Sequence, residues 1–293
     1  MLRILLPLFL LVSLGACTFT GLILSQADRF ILWYLDDYLD LNGSQTLTAK
    51  QYLNAYWFRV RCDHSQRFQR ELNGLATGIQ SGASETLADD IERFFTTWKI
   101  RVLRPMLPFA SEFLSTITLD QWKNFREETI EKMSSLKERI RMPEQEYLES
   151  RDETVRDRLE EYYGEVDDKT FSVVRPWLIS PQSQLRQWLV FRENRLDSVM
   201  TFFNQKPGKK RIYKQLDQWL TEPDSLLDPG LRSKATALRA RWYQNIAEMN
   251  QRMPEANRKK FSEYLKSFAR DVADSRPAAT DCQAAGLNQG GQD

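Results

Sequence analysis

The chain has one histidine, His64, and it directly follows Cys62 and Asp63. Consecutive residues on a helix splay around the axis, so these three side chains do not form a nucleophile–base pair. His64 falls one turn after Val60 and one before Phe68, on the apolar face of its segment. It reads as a core histidine. The acidic candidates are Asp36, Asp37 and Asp40, and the run Glu160, Glu161, Glu165, Asp167 and Asp168. The first group has oxygen donors for a divalent cation or a partner, but charge runs of this kind usually face water. Lys206, Lys209, Lys210 and Arg211 surround Pro207-Gly208 and form the one local basic cluster, a candidate contact for anionic lipid. A zinc site of histidine and cysteine type lacks ligands here. Phosphate-loop, dinucleotide and EF-hand motifs are also missing. No metal, cofactor or catalytic residue is expected.

The strongest chemical signal is at the start. Met1-Leu2-Arg3 is a short basic lead, Ile4 to Leu14 is almost wholly apolar, and Leu14-Gly15-Ala16-Cys17 follows. The apolar run is too short to span a bilayer, which takes roughly 20 residues, and has the shape of a secretory signal. The tetrapeptide resembles a bacterial lipobox. The resemblance implies cleavage before Cys17 and acylation of its thiol, with Gly15 and Ala16 small enough for a peptidase groove. Thr18 stands where enteric-type lipoproteins retained in the inner membrane carry Asp, so the resemblance points to the outer membrane, facing the periplasm. Several acyl chains anchor stably where one is marginal.

Removing residues 1–16 removes one basic residue, Arg3, and leaves equal numbers of basic and acidic side chains. That balance lacks the basic excess of a nucleic-acid binder. With 42% hydrophobic residues, eight Trp and sixteen Phe, there is ample material for a core. Besides Cys17 there remain Cys62 and Cys282. An oxidising compartment permits a bridge, but Cys282 lies in a stretch of Ser, Pro, Ala, Gly and Gln that reads as a loose tail, so free thiols are the expectation.

Helical periodicity covers nearly everything between. An aromatic-acidic segment from Phe30 to Leu41 comes first. Asn42 with Gln45, and Thr118 with Gln121, match the capping box, in which cap and third helical residue satisfy each other's backbone amides. Pro143, Pro181, Pro229 and Pro254 sit where proline opens a helix. The reading is all-α: an antiparallel bundle of about eight or nine helices over 28–275, after a signal peptide (1–16) and a lipidated tether (17–27). Residues 276–293 read as a disordered tail.

Two resemblances add to this. The lipobox, the stretch Trp33-Tyr34-Leu35-Asp36-Asp37-Tyr38-Leu39-Asp40-Leu41 and the Gln that follows are similar to a family of all-helical proteobacterial lipoproteins, which implies localisation and no activity. Leu41-Asn42-Gly43-Ser44-Gln45 and Ile117-Thr118-Leu119-Asp120-Gln121 resemble the paired Leu-Thr-x-x-Gln motifs of Spy/CpxP-type periplasmic chaperones, with Asn for the first Thr and Ile for the second Leu. That likeness implies binding of unfolded clients. The expectation is a non-enzymatic envelope lipoprotein that contacts the membrane through Cys17 and envelope proteins through its helices, in chaperone-like or scaffold work. The alternatives are a carboxylate-dependent envelope hydrolase, with two acidic groups converging in a cleft, and a binder of a small lipid or sugar between helices.

Overall fold

The computed structural model describes residues 27–82 and 86–285. The expected signal peptide and lipobox, with Cys17, lie outside them, as do residues 286–293. The described chain is helical, with no strand among these residues. Its helices are α1 (Ala27–Leu39), α2 (Gly43–Ser81), α3 (Leu87–Leu103), α4 (Leu107–Leu114), α5 (Leu119–Glu131), α6 (Ser134–Arg141), α7 (Glu144–Tyr163), α8 (Asp168–Leu178), α9 (Gln182–Phe203), α10 (Lys209–Thr221), α11 (Pro229–Arg252), α12 (Glu255–Asp274) and α13 (Ala279–Ala284). The described residues form the expected all-α bundle, and short breaks divide some of its helices. Pro105 and Pro108 turn the end of α3 into one 3-10 turn, Arg104–Met106, and restart it as α4. The chain breaks again after Glu131, so α5 and α6 are separate helices.

The 39-residue α2 is the strut, roughly 58 Å long at the standard rise. Its first turns sit in a core with α1, α4, α5, α9 and α10, where Ala49 is buried and Trp122 stacks on Phe203 at 3.8 Å. Its last turns join α3, α11 and α12 in a second core around Leu72, Ile79, Leu87 and Phe268. A third core holds α6 to α9 through Leu136, Tyr147, Leu159 and Phe171. α12 runs back antiparallel along α2. Ser262 near its start donates to Gln80 Oε1 at 3.3 Å, and Arg61 donates to the carbonyl of Ser275 just past its end at 3.3 Å. Gly82 ends α2 at φ 65°, the left-handed region that favours glycine. A Cβ there would meet the Arg258 guanidinium at 2.5 Å.

One polar side chain joins three of these helices. Asn250, 1% exposed, donates to the Ile79 carbonyl at 2.9 Å and accepts from the Tyr163 hydroxyl at 3.2 Å. A buried amide is tolerated only when bonded in this way.

The expectation of free thiols and a loose tail from 276 is overturned over the described part. Cys62 and Cys282 form a disulfide, with Cα atoms 5.8 Å apart. Arg276 donates to the Cys62 carbonyl at 3.1 Å, which turns the chain over α2. The short α13 then brings Cys282, 1% exposed, against the strut. Composition suggested a disordered end, but an arginine and a sulfur pair hold it.

Among the described residues no helix is long and apolar enough to cross a membrane.

Candidate functional site: a cation-rimmed groove between two helices

The two capping motifs, far apart in sequence, meet in space. Asn42 Oδ1 accepts from the backbone amides of Ser44 and Gln45, and Thr118 Oγ1 accepts from that of Gln121 at 3.2 Å. The glutamines answer: Gln45 Oε1 accepts from the Asn42 amide at 3.1 Å, and Gln121 Oε1 from the Thr118 amide at 3.0 Å. Both glutamines are buried, and their amides bond each other in both directions, Gln121 Nε2 to Gln45 Oε1 at 2.7 Å and Gln45 Nε2 to Gln121 Oε1 at 3.2 Å. The remaining donors reach the Asp40 and Thr116 carbonyls. The motifs therefore join α2 to α5 by a closed polar network, with no group left over for a ligand.

The acidic trio goes to local use. Asp36 Oδ1 accepts from the Leu41 amide at 3.2 Å, Asp37 pairs with Lys132, and Asp40 takes a positive φ of 49° at the turn after α1. Lys132 also lies over the Tyr38 ring at 3.9 Å. No group of acidic, histidine or cysteine side chains among the described residues has the geometry to hold a metal ion. The basic cluster opens α10. There Lys209 is 3.6 Å from Glu112, and Arg211 donates to Gln205 and lies 5.3 Å from the Phe202 ring centre. Lys206 holds a positive φ of 47° in the preceding turn. His64 packs edge-on to Trp98, and burial lowers its pKa, helped by the charges of Arg101 and Arg67. Among the described residues, burial raises the pKa of Glu161, and burial with the charge of Asp274 raises that of Asp271. Neither acts on the other.

An open surface feature lies elsewhere. α9 and α11 are not closely packed along their length, and between them runs a groove of about 700 Å³. That volume is within the range of small-molecule sites, about 300–1,000 Å³. Its floor is Phe191 and Leu238 with Leu231, part of a small separate apolar cluster that also holds Leu227 and Ala235. Val190 stands on one wall, 47% exposed. The rim carries Arg186 from α9 and Lys234 and Arg241 from α11, all exposed. None of the three makes an ion pair among the described residues, and no carboxylate lines the groove. The groove therefore combines partly buried apolar side chains with a rim of cations.

A clasp fixes the spacing of the two walls. Asp224, in the 3-10 turn Pro223–Leu226 between α10 and α11, bonds Arg195 of α9 at 3.0 Å and Arg239 of α11 at 2.7 Å. Thr236 Oγ1 donates to the same carboxylate at 2.9 Å. Burial alone would raise the Asp224 pKa. The bonds from Arg239 and Thr236 and the two guanidinium charges outweigh it and hold the carboxyl below its ordinary value. Lys99 lies within their field, and burial together with Arg239 pushes its ammonium below the usual lysine value. Beside the clasp, Asn194 and Asp228 bond each other twice, at 2.6 and 2.9 Å, a second tie between α9 and the start of α11. Asp228 stands at the N-cap position of α11. Its carboxylate accepts from Asn194 instead, and no side-chain cap bond forms.

In comparisons with known proteins, no family model, curated protein or solved structure matches the chain.

Proposed function

We propose that this chain is a lipid-anchored envelope protein that acts by non-covalent binding, with the α9/α11 groove as its contact surface. Acylation at Cys17 is the tether, on the outer membrane and facing the periplasm, and the helical body hangs from it. The observation that carries the binding role is the apolar floor rimmed by Arg186, Lys234 and Arg241 without counter-charges. The partner is amphipathic and anionic, a description that suits a client segment in chaperone-like work as well as a small lipid. The Cys62–Cys282 bond supports an oxidising compartment, since structural disulfides persist there.

The reading is tested by placing a photocrosslinking amino acid at position 190 in the full-length protein in cells, with position 173 as control. Val173 is also exposed, at 42%, but lies on α8. Adducts are expected from 190 and not from 173, and they should disappear when Arg186→Glu and Arg241→Glu are combined. Equal yield from both positions, or none from 190, would refute the groove as the working surface.

A further inference from the structure

Apart from the groove, we infer that the clasp joining α3, α9 and α11 is an oxyanion site, where Lys99, Arg195 and Arg239 take a phosphate dianion beside Asp224.

The three cations come from three helices, Lys99 from α3, Arg195 from α9 and Arg239 from α11. Asp224 is the carboxylate they share. Its oxygens accept from Arg195 at 3.0 Å, from Arg239 at 2.7 Å and from Thr236 at 2.9 Å. Lys99 makes no ion pair among the described residues, and Glu92, two turns earlier on α3, pairs with none of the three cations. Three cations against one carboxylate leave a formal excess of two positive charges. Lys99 feels that excess: burial and the charge of Arg239 lower its pKa by more than Asp224 raises it.

Charge and donors both point to a divalent oxyanion. A dianion cancels the excess, whereas a carboxylate or a chloride leaves half of it. Guanidinium groups carry several N–H donors each, and an ammonium rotates its own toward an acceptor. Asp224 takes one bond from each arginine, and Arg195 Nε is buried with no hydrogen-bond partner, so the carboxylate does not satisfy these groups. A tetrahedral oxyanion offers oxygens to donors arriving from several directions, and arginine forks engage them in pairs. The cations are also the accessible part of the cluster. Arg195 and Arg239 keep about a quarter of their side-chain surface in contact with water and Lys99 is half-buried, while Asp224 lies beneath them, 8% exposed. An incoming anion meets the positive groups before it meets the carboxylate.

The test is calorimetric titration of the full-length protein in neutral detergent with inorganic phosphate, at slightly alkaline pH where phosphate is a dianion, with chloride at equal ionic strength as control. Saturable binding of one phosphate per chain is expected, together with a melting temperature that rises with phosphate and not with chloride. Lys99→Met keeps an apolar stem and removes the charge. It should weaken phosphate binding by about tenfold or more, the scale of one hydrogen bond to a charged group. Without phosphate it should melt no lower than the parent, because it removes a surplus charge. Arg186→Gln, on the groove rim, should bind phosphate as the parent does. Glycerol 3-phosphate separates the sources of the anion. Tighter binding than inorganic phosphate makes the ligand a phosphomonoester such as a lipid head, and weaker binding makes it the free ion; dependence on Lys99 supports the site in both cases. Saturable binding of neither probe, an equal response to chloride, or phosphate binding unchanged in Lys99→Met would overturn the inference. So would loss of binding in Arg186→Gln, which would move the anion to the groove. A Lys99→Met protein that melts below the parent without phosphate would overturn it too, since the ammonium would then be a needed partner of Asp224.

Discussion

Replacing Cys62 and Cys282 together by serine should lower stability by about 4–5 kcal/mol, the largest effect expected of any change considered. The bond joins residues 220 apart, so it closes a loop that contains α3 to α12. In the chain-entropy account a loop of that length restricts the unfolded ensemble more than a short one does. For a domain of this size the loss corresponds to a melting point lower by on the order of 10 °C. The parent protein treated with a reductant that reaches the buried sulfurs should melt like the double serine variant. An unchanged melting temperature in the double variant would mean that α13 is an ornament on α2 and not a constraint on the fold.

The second large effect is at the clasp. Asp224→Ala should cost about 3 kcal/mol, the low end for breaking a buried ion pair, since Arg195 and Arg239 keep about a quarter of their side-chain surface in contact with water. Two guanidinium groups and Lys99 would then face one another with no counter-charge. Asp217→Ala breaks an exposed pair with Arg104 and should cost only about 0–1 kcal/mol. The clasp also predicts a pH response. The Asp224 carboxyl is held below its ordinary value in the folded state. Its contribution is therefore complete above its unfolded pKa, near 3.9, and is lost as pH falls through the lower folded value. Denaturant melts of parent and Asp224→Asn should differ most at neutral pH and converge in strong acid. A gap that stays constant from neutral pH to about pH 2 would show that the charge of Asp224 is not what holds the walls.

The two positions differ in how readable they were. The helices follow from apolar residues three and four apart, and both capping boxes are visible as Asn42-x-x-Gln45 and Thr118-x-x-Gln121, because each box is a local affair of four residues. That the two glutamines would bond each other was not visible, since it depends on how α2 and α5 dock. Cys282 misled because tail composition speaks for disorder, whereas two contacts, the Arg276 bond to the Cys62 carbonyl and the disulfide itself, are enough to order the chain. The basic residues at 206–211 drew notice because they are contiguous. The cations of the groove are single letters on two helices separated by α10, and their shared field appears only when the helices are set side by side. Asp224 reads as a turn residue after Pro223; its partners, Arg195 and Arg239, lie on different helices.

We propose the groove between those same two helices as the contact surface of the protein. Its floor is a small apolar cluster set apart from the three larger cores, and the clasp and the Asn194–Asp228 tie hold its walls without covering it. Amide hydrogen exchange of the full-length protein, in native envelope vesicles and after delipidation into neutral detergent, measures directly whether it is covered. The expected result is slower exchange in 186–191 and 231–241 in the vesicles, with the first turn of α10 unchanged. Equal exchange of those two segments in both preparations, or protection confined to 206–211, would contradict the groove as the place where this protein meets its partner.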